Sequence, residues 1–216
     1  MRAVSYLFFA VLLLTIMTSA QSQPAAAASS QRAGISVEIP ADVAKIVAQQ
    51  FGAKFKIVDK APGPVLKMSK DDEVPPWTPL LIADLDGDGV ADAVIVVRCK
   101  NPLLDAMQFN YKVADPYDAY FGYGDPKVTL QFGALDPDRN LFLLIIHGAG
   151  PEGWRAAAPK AKFVIINTPF DRLSVSRFML KKKLVSAINA EESGALTSAV
   201  FWDGKRYRWE PNFTPE

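Results

Sequence analysis

LIADLDGDGVADAVIVV, residues 81–97, sets Asp84, Asp86, Asp88 and Asp92 within nine residues, directly before an uninterrupted apolar run. Residues 93–97 are apolar at every position, as expected of a strand covered on both faces. Residues 80–83 form a second short strand candidate, so the aspartates fall in the bend between two strands. Like charges concentrated at such a bend call for a physical reason.

Counted from Asp84, carboxylates stand at positions 1, 3, 5 and 9, with Gly89 at position 6 and Val90 at position 7. Calcium takes six to eight oxygens and accepts mixed carboxylate and carbonyl ligands. A tight loop with alternate side chains turned inward can wrap such an ion, Val90 adding its backbone carbonyl. Gly87 and Gly89 relieve the steric limit where positive φ is needed. The bland alternative is a solvated acidic turn, because Asp-Gly is ordinary turn chemistry. Two carboxylates about 4 Å apart repel by only about 1 kcal/mol in water, but by more as the site dries. An EF-hand is excluded: its twelfth position needs a bidentate glutamate, here Ile95, and its flanks are helices. Zinc lacks nearby histidine or cysteine ligands, and magnesium is less suited than calcium to an all-protein oxygen cage.

The pattern Asp84-x-Asp86-Gly-Asp88-Gly-x-x-Asp92, followed by Ala93-Val-Ile-Val-Val97, resembles the calcium loop of FG-GAP and VCBS-type repeats. Such repeats occur in integrin α-chain propellers and in many bacterial secreted proteins. The resemblance covers residues 80–97. It implies Ca²⁺ held between strands, with Asp84, Asp86, Asp88 and Asp92 as side-chain ligands and Val90 as a carbonyl ligand. The closing Trp202-Asp-Gly-Lys-x-Tyr207 resembles the last hairpin of single-loop secreted proteins of this kind. A propeller needs four or more blades. A second loop fails at 136–144, where Leu141 and Leu144 replace the glycine and the last carboxylate.

Arg2, the apolar run 6–17 and Thr18-Ser-Ala20 describe a secretory signal peptide over residues 1–20. The run is shorter than the roughly 20 residues of a membrane span. Residues 21–36 are small, polar and aperiodic, a flexible leader. That leaves 37–216 as one globular domain, secreted or periplasmic, with the calcium-loop hairpin at 80–97. Half its chain is hydrophobic, and without Arg2 the basic residues equal the 23 acidic ones. This balance gives no support for nucleic-acid or anionic-membrane binding. Cys99 is the single cysteine, so no internal disulfide exists, and its place after an apolar strand predicts a buried, inert thiol.

The segment 40–52 predicts a helix with Val43, Ile46, Val47 and Phe51 on one stripe, Asp42 in the first turn and Gly52 as the stop. Strands are expected at 55–58, 107–113, 127–132, 141–147, 162–167 and 174–180, with a short helix at 184–192. Ala199-Val-Phe-Trp202, Asp203-Gly204 and Lys205-Arg-Tyr-Arg-Trp209 predict a hairpin. The fold class is α+β: mostly antiparallel hairpins or a meander, with the one N-terminal helix packed on the sheet.

Other constellations point less clearly. Gly148-Ala-Gly150-Pro-Glu-Gly153 matches G-x-G-x-x-G, but no full helix fits before Pro159, so it reads as a glycine-rich surface loop. His147 and Glu152 suggest an acid/base pair, yet no Gly-x-Ser-x-Gly turn exists in the chain. Tyr117, Tyr120 and Tyr123 either hold a glycan or peptide or pack on one another. Trp202, Tyr207 and Trp209 face the same choice, with cross-strand packing preferred. Lys181-Lys-Lys183 reads as a solvated, edge-protecting run. The function expected is an exported, non-enzymatic calcium-binding domain, a structural or ligand-binding module with a protein or glycan partner. The alternatives are a hydrolase-like enzyme centred on His147 and Glu152, and a glycan- or peptide-binding module using exposed aromatics.

Overall fold

The computed structural model describes residues 39–61, 77–128, 141–180, 183–192 and 196–211. The expected signal peptide and leader lie outside the described residues, as do most of the expected strand 127–132 and Lys181 and Lys182. The chain is mostly β, in two sheets with few helices, and broadly α+β. The first sheet holds β1 (Lys56–Ile57), β2 (Leu80–Ala83), β3 (Asp92–Arg98), β4 (Lys112–Ala114), β5 (Leu141–His147) and β6 (Ala161–Ile165). Its order is β1-β3-β5-β6-β4, with β2 also paired to β3. All pairings are antiparallel except β4 with β6. The second sheet is an antiparallel meander of β7 (Arg172–Leu180), β8 (Lys183–Glu192), β9 (Leu196–Trp202) and β10 (Tyr207–Pro211).

The apolar run of β3 finds its reason in two clusters. Ala93, Ile95 and Val97, with Phe142, Leu144 and Ile146 of β5, share one cluster with Val43, Val47 and Phe51 of α1 (Ala41–Phe51). Val94 and Val96, with Leu143 and Ile145, share the other with Ile188, Val200 and Tyr207 of the second sheet. Alternate side chains of a strand leave on opposite faces, so residues 93–97, lying between two apolar layers, are apolar at every position. Helix α1 ends where Gly52 takes φ 98°; a Cβ there would sit 2.8 Å from the Phe109 ring. Cys99 is buried and free.

Two segments depart from expectation. Residues 107–113 are not one strand: α2 (Ala106–Phe109) is followed by Asn110 at φ 51° and then by β4. Asparagine tolerates this left-handed conformation, and the reversal sends Tyr111 into the core, its hydroxyl donating to the Pro102 carbonyl at 2.8 Å. Residues 184–192 are strand β8, not a helix. The alanines and glutamates there favour helix locally, but the segment pairs with β7 on one side and β9 on the other. Ile188 and Ala190 turn to the first sheet while Ala187 turns away.

Helix α3 (Pro116–Tyr120) is capped by Asp115, which accepts the Asp118 N–H at 2.9 Å and a bond from the Asn167 side-chain amide. Burial pushes the Asp115 carboxyl up to about 6 from its ordinary 3.8. Between those values the folded chain holds more protons than the unfolded chain, so this group's contribution falls as pH rises through the window. The urea midpoint of the native protein, less that of Asp115→Asn, is therefore expected to decline from pH 4 to pH 7; a pH-independent difference would refute the shift. Because both faces of β5 are covered, Leu144→Ala and Ile145→Ala are each expected to cost about 2–5 kcal/mol. A near-neutral result for either in urea unfolding would mean that its face is open.

Candidate metal centre

The β2–β3 hairpin pairs Leu80 with Ile95 and Ala83 with Asp92, which fixes where the acidic loop starts and ends. Within it Gly87 and Gly89 take φ 76° and 86°. Asp84 organises the bend. One of its oxygens accepts the Gly87 and Asp88 N–H groups at 2.7 and 3.1 Å, and the other accepts the Gly89 N–H at 2.9 Å. Asp86 and Asp88 accept from the Asp88 and Val90 N–H groups in turn. These bonds supply backbone donors with partners that a tight turn cannot offer from its own carbonyls.

Asp84, Asp86 and Asp88 each bring one carboxylate oxygen within 4.8 Å of the other two. Asp86, Asp92 and His147 form a second group on the same criterion, one layer deeper. Asp92 is buried and uses both oxygens, on the Leu85 N–H and the Gly148 N–H, each at 2.8 Å. Burial raises its carboxyl to about 6, although those two donors favour the ionised form. Val90 is placed by its own N–H, donated to Asp88.

Lys160 is the cation of this site, and sequence reading did not single it out. Its Nζ lies 2.7 Å from an Asp86 oxygen and 2.8 Å from an Asp88 oxygen. The ammonium holds the Asp88 carboxyl below the usual carboxylate range, and the two carboxylates hold the lysine above its own. Nothing in the local pattern Pro159-Lys160-Ala161 signals this role. The backbone N–H of Lys160 donates to the His147 carbonyl at 3.0 Å, and that bond brings the lysine to the loop.

His147 is buried beneath the loop. Its Nδ1 lies 3.2 Å from the Asp86 oxygen that Lys160 also holds, and its Nε2 lies 2.6 Å from the Tyr207 hydroxyl. Burial lowers its pKa despite the opposing charge of Asp86, which favours the neutral ring. The partners assign the protons: Nδ1–H donates to Asp86, and Nε2 accepts from Tyr207, whose own pKa burial raises. A line of polar contacts thus runs from the loop through β5 to β10. Glu152 sits exposed on the 3-10 segment Gly150–Arg155, and His147 is satisfied by Asp86 and Tyr207 instead.

Gly148 and Gly153 also serve this site. A Cβ on Gly148 would meet the Ala91 carbonyl oxygen at 2.4 Å, and Gly153, at φ 59°, lies against Ala91 as well. Their bare backbones let the end of β5 approach the end of the loop so that the Gly148 N–H reaches Asp92. Tyr117 and Tyr120 pack edge-on against Trp209 at 4.9 and 5.1 Å, while Tyr123 is exposed. Trp202 packs on Tyr207, Phe163 and His147.

No family model, curated protein or solved structure matches the chain.

Tyr207→Phe keeps the ring but leaves His147 Nε2 buried without a donor. A loss of about 1–3 kcal/mol is expected, read as a fall in the urea midpoint. An unchanged midpoint would show that the histidine needs no such partner.

Proposed function

We propose that this chain is an exported, non-enzymatic calcium-binding domain, in which the ion fixes the β2–β3 hairpin and the surface around it for a protein or glycan ligand. The reading joins the single calcium-loop resemblance at 80–97 to the signal-like start of the sequence. Helix α1 serves as the cover of one sheet face, a placement supported by the burial of Val43, Val47 and Phe51. The observation that carries the proposal is the convergence of Asp84, Asp86 and Asp88 within 4.8 Å. Calcium–oxygen distances of about 2.3–2.6 Å allow one ion to touch oxygens spaced up to about 5 Å apart. The donors of Asp84, Asp86 and Asp88 are hard oxygens, which suits calcium. Asp84, Asp86 and Asp88 supply side-chain ligands and Val90 its carbonyl. Asp92 belongs to the same set in the resemblance; in this geometry its two backbone bonds close the loop.

Lys160 is the competitor for these oxygens, lying 2.7 and 2.8 Å from Asp86 and Asp88. The carboxylates already attract a cation, and a calcium ion has to displace that ammonium from Asp86 and Asp88. Calorimetric titration of the domain with calcium is expected to give heat in the native protein and none in Asp86→Ala. Lys160→Gln is expected to bind more tightly, on the order of tenfold, because the competitor is gone. Calcium at about 100 times the dissociation constant is expected to stabilise the native domain by about 2.7 kcal/mol. Absence of heat at millimolar calcium from both native protein and Lys160→Gln rejects the proposal.

A further inference from the structure

Strand β10 is one edge of the second sheet. Its alternation sends Tyr207 and Trp209 toward the first sheet and leaves Arg208 and Glu210 on the outer side, opposite Phe201 and Ala199 of β9. Beside this edge stands α3, whose Tyr120 ring packs edge-on against Trp209 yet remains 54% exposed. Between these elements lies an open cleft of about 610 Å³, lined by Tyr120, Leu180, Phe201, Arg208, Trp209 and Glu210, with Asp203 and Lys205 at the hairpin turn. This volume falls within the range of small-ligand sites, about 300–1,000 Å³.

The cleft is held in shape by local bonds. Asp203 accepts the Lys205 and Arg206 backbone N–H groups at 2.9 and 3.0 Å and takes Arg208 Nε at 2.7 Å. The guanidinium is therefore fixed by one nitrogen, and its two terminal nitrogens have no partner among the described residues. On the other wall, Tyr117, Tyr120, Phe121 and Trp209 brace one another with ring centroids 4.9–6.0 Å apart. Ordering both walls before a ligand arrives reduces the entropic cost of binding.

The lining also defines the ligand. Asp203 and Glu210 balance Lys205 and Arg208, so neither a polyanion nor a polycation is favoured. Aromatic rings alternate with charged donors and acceptors, which disfavours a purely apolar helix. A sugar ring combines the two requirements: its C–H face stacks on an aromatic ring, and its hydroxyls both donate and accept hydrogen bonds. We infer that this cleft binds a neutral oligosaccharide, stacked on Tyr120 at the Trp209 edge and hydrogen-bonded by Arg208 and Glu210. The assignment does not depend on calcium.

The test titrates the full domain with cellohexaose, maltohexaose and chitohexaose, by calorimetry and tryptophan fluorescence, in calcium and again in chelator. A printed array extends the survey to other neutral and acidic glycans. At least one neutral oligosaccharide is expected to bind in both buffers. Tyr120→Ala is expected to weaken it about tenfold, with the unfolding midpoint measured alongside because the ring also packs on Phe121 and Trp209, and Arg208→Gln to weaken it as well. No neutral glycan bound, binding confined to acidic glycans, or affinity unchanged in Tyr120→Ala would each overturn the inference. Binding lost only in chelator would overturn its independence from calcium, whereas sugar binding without calcium uptake would reject the calcium reading alone.

Discussion

The loop and the sheet beneath it depend on one buried carboxylate. Asp92 opens β3, and its two oxygens hold the Leu85 N–H at the start of the loop and the Gly148 N–H beyond β5, each at 2.8 Å. These bonds tie the two ends of the loop to each other and to the end of β5, 56 residues farther along the chain, and each backbone donor would otherwise be buried without an acceptor. An unmet buried donor costs about 1–3 kcal/mol, so Asp92 can be the first residue of an otherwise apolar buried strand. The same arrangement explains the glycine at 148: an amide brought this close to Asp92 leaves no room for a Cβ beside the Ala91 carbonyl.

From that anchor the polar groups are arranged in depth. Asp86, whose side chain is only 4% exposed, faces the Lys160 ammonium on one side and His147 on the other. Removing a carboxylate from water is expensive unless charge and hydrogen bonds replace the solvent. Lys160 supplies the charge from a half-exposed position, and His147 supplies a neutral donor from below. The histidine in turn needs a donor at its second nitrogen, which Tyr207 provides from the other sheet. Each group is thus placed by the unmet requirement of its neighbour, which accounts for a lone histidine at the end of a core strand.

Much of this was legible where physics acts over a few residues. The hairpin around residues 84–92, the helix at 41–51 and the Asp203-Gly204 turn each carry local signals: glycines at positive φ, a helical apolar stripe, and a turn pair between alternating strands. The convergence of Asp84, Asp86 and Asp88 follows from their alternate spacing. Long-range pairing was not legible. Strand β8 has the composition of a helix, and only β7 and β9 on either side make it a strand. Lys160 and Tyr207 reach the site from 74 residues beyond Asp86 and 60 beyond His147, separations that no local pattern encodes. Gly148 and Gly153 were visible, but their purpose required knowing that Ala91 lies against them.

The polar line from the acidic loop and the cleft meet on one strand. Tyr207 ends the polar line from the loop, while Arg208 and Trp209, its immediate successors, line the cleft. Shared location is not by itself coupling, which requires an element with two arrangements that both sites bias. Strand β10 is poorly suited to that part. It is paired with β9 over five residues, held by Tyr207 in the core and braced by the Asp203–Arg208 ion pair at the turn. A shift by one residue would exchange Tyr207 for Arg208 inside the apolar cluster, a far larger penalty than any single contact at either site could offset. Its pairing with β9, the buried Tyr207 and the Asp203–Arg208 ion pair suit strand β10 to the part of a rigid frame between the acidic loop and the cleft.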